Sequence, residues 1–285
     1  MKIIDIFQGT EDWHAWRDGK VGASDAPTIM GDNPFKTRLK LWNEKSGVDP
    51  THPPNIAMIH GQRTEKEARE ACDQELGIKF KPTCVEHPDH DWMIASLDGL
   101  SECGKFIVEI KCPLKEERHL DTLMSGKVPR YYFAQVQHQL AVTGLDMAYF
   151  YSYYDGEGIL IEVKRDDEYI RDLITAEKEF IQSILDGIPP KPSDKDYVEN
   201  DSLEWIRVAS EFKDVKEQIK SLQEKENALK DNLISMANEK LTRGSGVTVY
   251  KVVRKGTVDI KLLESSTLIN VDDYRKPETT SWAVR

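Results

Sequence analysis

The sequence predicts an α/β fold: a central mixed sheet flanked by helices, followed by a long helical extension. Three observations carry this prediction. Short apolar runs of strand length alternate with amphipathic helical segments through the first 190 or so residues. One pair of those runs, around residues 95–100 and 106–112, carries acids and a lysine among apolar neighbours. Beyond a proline-rich linker the apolar spacing changes to alternating steps of four and three.

The elements follow in order. Thr10-Glu11-Asp12-Trp13 opens a helix, with a threonine placed to cap it and acids in its first turn. Ala23-Ser24-Asp25-Ala26-Pro27 reads as a second helix start, and residues 37–46 as a third helix ended by Gly47. A long helix spans 56–76 and closes at Gly77. Strands are predicted at 85–87, 92–96 and 106–111. A helix follows at 131–143, then strands at 148–153 and 158–164, then a helix at 166–184. Gly187-Ile188-Pro189-Pro190 stops that helix, and Pro189-Pro190-Lys191-Pro192-Ser193-Asp194 reads as a linker. This divides the chain into a domain over 1–193 and an extension over 194–285.

In the extension, Val208, Phe212, Val215, Ile219, Leu222, Glu226, Leu229, Leu233 and Met236 form a heptad seam, apolar except at Glu226. Such a seam packs either on its own chain or on another. A β-hairpin is expected after it, with strands at 247–253 and 258–262 around a Lys255-Gly256 turn.

Size and composition exclude several classes. A chain of 285 residues holds one large domain or a domain with an appendage. No apolar run approaches membrane-spanning length, and the N-terminus lacks a signal segment. Cys72, Cys84, Cys103 and Cys112 show no short paired spacing, which argues against a zinc site or a disulfide framework. A soluble protein is expected, and the cysteine usage fits a reducing cytoplasm. The net charge of −11 disfavours indiscriminate binding to DNA, although a local basic channel remains compatible with it.

The chemistry concentrates in Ala95-Ser96-Leu97-Asp98-Gly99-Leu100 and Val108-Glu109-Ile110-Lys111-Cys112-Pro113. Side chains alternate along a strand, so Glu109 and Lys111 share a face. A reversal near Glu102-Cys103-Gly104-Lys105 brings Asp98, placed at a strand-turn, alongside Glu109. Two carboxylates with an ammonium beside them suit Mg²⁺, with Mn²⁺ as the alternative, and hence metal-assisted hydrolysis of a phosphodiester. The ordinary alternative is a surface hairpin, but charges in so apolar a run are costly without a purpose. Glu65, on the preceding helix, is a further candidate ligand. Gln137 lies at the edge of the inner face of the 131–143 helix, where it could hold a water or an acid; Gln135, Gln137 and Gln139 are otherwise polar surface. Arg17 and the Gly-Ala-Ser-Asp turn around Ser24 make a candidate anion site.

Taken together, these blocks resemble the lambda exonuclease and YqaJ-type viral alkaline exonucleases, a branch of the PD-(D/E)xK nuclease superfamily. The matching blocks are Trp13-His14-x-x-Arg17 with Gly22-Ala23-Ser24-Asp25; Gly61-x-x-x-Glu65-x-x-Ala68-Arg69; Ser96-Leu97-Asp98-Gly99-Leu100; Glu109-Ile110-Lys111-Cys112-Pro113; and Ala134-Gln135-Val136-Gln137. They occur in the family's order over about residues 10–190. One departure is Leu97, where the superfamily name has proline, and residues beyond about 195 have no counterpart in the short form of the family.

The resemblance implies that Asp98, Glu109 and the Ile110 carbonyl are metal ligands, supported by Glu65. It implies two Mg²⁺ ions per active site, Lys111 beside the attacking water, and Gln137 organising the centre. Arg17, Ser24 and Ser96 would take a 5′-phosphate. The implied activity is 5′→3′ exonuclease action on double-stranded DNA ends, leaving 3′ single strands for recombination. Implied partners are further copies in a ring-shaped trimer and a phage single-strand annealing protein. Two alternatives are a restriction- or repair-type endonuclease on the same core, and an inactive coiled-coil adaptor.

Overall fold

The computed structural model describes residues 1–49, 53 and 55–251. The chain divides into two compact units, Met1–Glu199 and Asn200–Arg285. The first unit runs past the boundary read from the linker. Its short 3₁₀ turn Asp194–Asp196 bonds back to it, Thr37 Oγ1 donating to Asp196 and Lys195 Nζ donating to the Pro34 carbonyl at 3.3 Å.

Strands β1 (Lys2–Ile4), β2 (Val21–Gly22), β3 (Phe80–Glu86), β4 (Met93–Ser101), β5 (Ile107–Lys111), β6 (Met147–Tyr154) and β7 (Glu157–Lys164) build one mixed sheet. Its order is β1-β3-β4-β5-β6-β7, with β2 pairing parallel to β4. Most neighbours run antiparallel; β5 and β6 run parallel. A parallel pair needs a crossover, and two helices supply it: α5 (Glu116–Ser125) and α6 (Arg130–Thr143). The other helices of the unit are α1 (Glu11–Arg17), α2 (Ala26–Ile29), α3 (Arg38–Lys45), α4 (Ile56–Leu76) and α7 (Asp167–Leu185). Thr10, Thr37, Asn55 and Asp166 each cap the helix that follows by accepting a backbone N–H.

Apolar alternation on the strands explains the layering. Val85, Ala95, Leu97, Ile107 and Phe150 face Val136, Leu140 and Ala141 of α6. On the opposite face Phe80, Val108, Ile110, Tyr149 and Tyr151 pack on Ala68 and Cys72 of α4. The sheet is therefore held between α6 and α4. At Gly144 the chain leaves α6 with φ 73°, a left-handed conformation that glycine adopts without a Cβ penalty.

Two findings depart from expectation. First, Asp98 lies inside β4, which continues to Ser101, rather than at a strand-turn. The pairing of β3 with β4 shifts there: Thr83 faces Leu97 and Lys81 faces Leu100, so Asp98 and Gly99 together oppose Pro82. This is a β-bulge, and proline fits opposite it because it has no N–H to offer a ladder. Strict alternation would put Leu97 and Leu100 on opposite faces, yet both join the core under α6. Second, β1, the two-residue β2 and α5 were not read from the sequence.

The second unit contains α8 (Leu203–Ala237) and a small hairpin of β8 (Thr242–Gly244) and β9 (Val247–Val249). Helix α8 has 35 residues, about 50 Å of helix, and is capped by Ser202. The apolar seam residues are exposed along it, while Glu226 bonds within its own helix to Lys230 at 2.8 Å and Gln223 at 2.7 Å. The strand expected from Val247 begins there, but it pairs with the preceding segment and not with a following one. The Lys255-Gly256 turn and the 258–262 strand lie outside the described residues. Among the described residues no helix is long and apolar enough to cross a membrane.

Candidate active site

The β4–β5 hairpin positions the acids. Gly99 pairs with Val108, which brings Asp98 beside Glu109 and Ile110. The Ile110 backbone N–H donates to Asp98 Oδ2 at 2.7 Å. Glu109 is 1% exposed, and its carboxylate is enclosed by donors. Lys111 Nζ and Gln135 Nε2 meet Oε1, the latter at 2.6 Å, and Gln139 Nε2 meets Oε2. Lys111 Nζ also stands 4.9 Å over the Tyr132 ring.

Burial, and then the charge of Glu109, push the Asp98 carboxyl well above the usual carboxylate range; Lys111 and the Ile110 N–H pull the other way without prevailing. For Lys111 the balance is reversed. Burial favours the neutral amine, but Glu109 and Asp98 outweigh it and hold the ammonium charged. The Cys112 thiol is pushed up to about 12 by burial and the nearby acids, so it stays protonated.

Glu65 reaches the same place from α4. Its Oε1 accepts from Arg69 Nη1 at 2.8 Å, and the same nitrogen donates to the Asp98 carbonyl at 2.7 Å. Glu65, Asp98, Ile110 and Lys111 all line one cavity of about 670 Å³, together with Tyr131 and Tyr132. Among the described residues, no three His, Cys, Asp or Glu side chains converge tightly enough to enclose an ion unaided. Glu109 thus lies next to Asp98 with both of its oxygens engaged by donors, while the carboxyl-bearing Asp98 and Glu65, with Ile110, border open cavity. That suits Mg²⁺ or Mn²⁺, which keep several waters and take the remaining ligands from substrate phosphate.

Gln137 is not part of this cluster. It is fully buried, its Nε2 donating to the Lys164 carbonyl at 2.8 Å and its Oε1 accepting the Asp166 N–H at 2.9 Å. It ties α6 to the connection between β7 and α7. Gln135 and Gln139, which sequence reasoning left as polar surface, are the glutamines that reach Glu109. Their spacing of four puts them on one helix face, and Gln137 lies on the other. That spacing was the signal available in the sequence.

Arg17 and Ser96, two of the residues expected at an anion site, are brought together by Trp13. Trp13 Nε1 donates to Ser96 Oγ at 2.8 Å, and the Arg17 guanidinium lies 4.6 Å over the Trp13 ring. Arg17 also packs against Gly22, where a Cβ would stand 3.0 Å from its Nη2. Gly22 pairs with Ile94, so the Ala23–Asp25 turn runs beside the start of β4, with Ser24 exposed. Asp25 fixes the turn: it accepts the Gly22 N–H at 2.9 Å and pairs with Lys45 at 2.8 Å. Burial would raise its carboxyl, but Lys45 and Arg17 hold it below the usual range.

Residues 12–146 match the YqaJ-like viral recombinase domain, a span that contains every residue of both clusters. An alkaline exonuclease from Laribacter hongkongensis shares the fold at TM-score 0.56 and 30% identity, covering 62% of this chain and 94% of that one. The chain belongs to the YqaJ-like viral recombinase family. A structure of the Laribacter enzyme with dAMP matches at TM-score 0.57 and 29% identity over the same shares. The Bacillus subtilis (strain 168) protein YqaJ is 30% identical over 187 residues, 63% of this chain. The chain spans 58% of the length of that relative. The mixed sheet with α4 and α6 is thus the alkaline-exonuclease fold, and α8 lies beyond the matched domain.

Proposed function

We propose that this protein is a divalent-metal-dependent exonuclease that degrades the 5′-ended strand of double-stranded DNA and leaves a 3′ single strand for recombination. The observation that carries the reading is Asp98 and Lys111 on the wall of one cavity, with the buried Glu109 paired to Lys111 beside them, within an alkaline-exonuclease fold. Asp98, Glu109 and the Ile110 carbonyl would hold Mg²⁺ or Mn²⁺, two ions per site, with Glu65 in support. The bound metal supplies an acidified water and neutralises charge on the scissile phosphate.

The chain's own residues do the rest. Lys111, kept as an ammonium, donates to the attacking water or to a phosphate oxygen as negative charge develops there. Gln135 and Gln139 fix the plane of the Glu109 carboxylate, and the Ile110 N–H fixes that of Asp98. Arg17, with the Ser24 and Ser96 hydroxyls, takes a terminal 5′-phosphate, the guanidinium binding it bidentately. A pocket for a terminal phosphate has a use only at a strand end, which favours an exonuclease over an internal cutter. A closed ring of copies would confine positive potential to a channel and so accommodate the charge of −11. An annealing protein is the partner expected to receive the exposed strand.

Linear duplexes labelled at either the 5′ or the 3′ end, incubated with Mg²⁺, test the reading. Label should leave first from the 5′ end, faster from a 5′-phosphate than from a 5′-hydroxyl, and Arg17→Ala should shrink that preference. Cutting of a covalently closed circle at a comparable rate would instead establish an endonuclease.

A further inference from the structure

An unbroken line of rings and cations leads from the mouth of the cavity to Lys111. The Arg118 guanidinium lies 5.1 Å over the Phe35 ring. Phe35 meets Tyr131 edge-on at 6.1 Å, and Tyr131 meets Tyr132 at 4.5 Å. Tyr132 lies under Lys111 Nζ. Phe35, Arg118, Tyr131, Tyr132 and Lys111 all line the cavity that holds the acids.

Phe35 is the anomalous member, for it is 66% exposed. A single exposed phenyl group needs no explanation on a loose loop. This one is carried on a braced turn. Asn33 Oδ1 accepts the N–H groups of Phe35 and Lys36, at 2.8 and 3.3 Å, and its Nδ2 donates to Thr28 Oγ1 at 2.8 Å. Asp32 accepts from Arg130 Nε at 2.6 Å, which ties the turn to the start of α6 beside Tyr131. Lys195 donates to the Pro34 carbonyl. The backbone that carries the ring is thus braced on both sides of Phe35. Its outer face is covered by Arg118, an exposed cation that forms no ion pair among the described residues.

Aromatic faces and guanidinium planes are the surfaces on which unpaired nucleobases stack, without regard to base identity. We infer that Phe35 and Tyr131 form a platform on which a nucleobase of the strand being cut stacks in the place now taken by the Arg118 guanidinium, which swings out to the strand's phosphates, and that this stacking holds the scissile phosphate at Asp98. The inference rests on the nuclease reading and adds to it a base-binding subsite. Phe35 and Tyr131 are positioning residues: they touch the substrate's base and not the reacting atoms.

The test uses duplexes in which one nucleotide near the cut end is replaced by an abasic residue, scanned over the first few positions. For the wild-type protein, one position should lower kcat/KM about tenfold, mainly through KM. Phe35→Ala and Phe35→Leu should cut the intact and abasic duplexes equally well, and Phe35→Trp should restore the difference. Because Phe35 is exposed, all three variants should fold, as circular dichroism would check. No abasic effect at any position in the wild type overturns the platform, as does a Phe35→Leu protein that still discriminates. If no duplex is cut with Mg²⁺ or Mn²⁺, the nuclease reading has failed; anisotropy of the same labelled oligonucleotides then decides the platform by the same intact-to-abasic comparison.

Discussion

Asp98 carries a carboxyl whose proton affinity is raised on folding, by burial first and by Glu109 second. A group of that kind stabilises the fold below its unfolded pKa and loses that contribution as pH rises through its folded pKa. At neutral pH an ionised Asp98 therefore weakens the fold that carries it. Asp98→Asn keeps an oxygen to accept the Ile110 N–H and removes the charge. Its Tm should exceed wild type at neutral pH, and the gap should close below about pH 4. Cleavage should fall on the order of a hundredfold or more, because a ligand is lost. A Tm below wild type at neutral pH would show that the charge is a structural partner of Lys111 instead.

The glutamines give a second contrast between residues. Gln139→Leu would leave Glu109 Oε2 without its donor, which should cost about 1–3 kcal/mol of stability and weaken Mn²⁺ binding in a calorimetric titration. Gln137→Leu would strand the Lys164 carbonyl and the Asp166 N–H at a similar cost, yet leave metal affinity at the wild-type value. The opposite pattern would return Gln137 to the site. The three glutamines show how far the sequence could be read. The acid pair and Lys111 were legible because strand alternation alone puts Glu109 and Lys111 on one face. Choosing among Gln135, Gln137 and Gln139 requires knowing which helix face meets β5, and that is set by how α6 seats on the sheet.

Elements with long periodic patterns were the legible ones. The helices over 56–76, 131–143 and 166–184 and the strands over 148–153 and 158–164 match the structure within a few residues. The missed elements carry weak patterns. β1 is a three-residue edge strand, and α5 follows Lys115 without a capping side chain. The bulge was hidden for a different reason: it is a property of pairing, visible only once Pro82 is set against Asp98 and Gly99. It also constrains Gly99, where a Cβ would stand 2.6 Å from Phe80 Cβ and 2.8 Å from Val108 Cγ1. Phe80 Cβ is fixed to its backbone and Val108 is fully buried, so Gly99→Ala should cost about 1–3 kcal/mol in thermal or urea denaturation. Because Gly99 shares the bulge with Asp98, metal affinity should fall as well. An unchanged midpoint and an unchanged affinity would mean that the bulge is free to relax and does not hold Asp98 in place.

At the scale of the whole molecule, the two units divide the work unevenly. Every residue of the acid cluster, the Arg17–Trp13–Ser96 cluster proposed to take a phosphate, and the aromatic line belongs to Met1–Glu199. The second unit contributes an apolar seam on α8 that water disfavours, so a covering surface is expected from this chain, another copy or a partner. A chain ending after Glu199 should bind metal and cut short duplexes at rates close to those of the full chain, while differing from it in mass by light scattering. A chain ending after Ser193 should do worse, because it loses the bonds of Lys195 to Pro34 and of Asp196 to Thr37. Those bonds brace the turn that presents Phe35, so the shorter chain should show the weaker abasic discrimination of the Phe35 variants while keeping its metal affinity. If the chain ending after Glu199 folds by circular dichroism and still cannot cut, α8 or the residues beyond it complete the active site, and cleavage is a property of both units together.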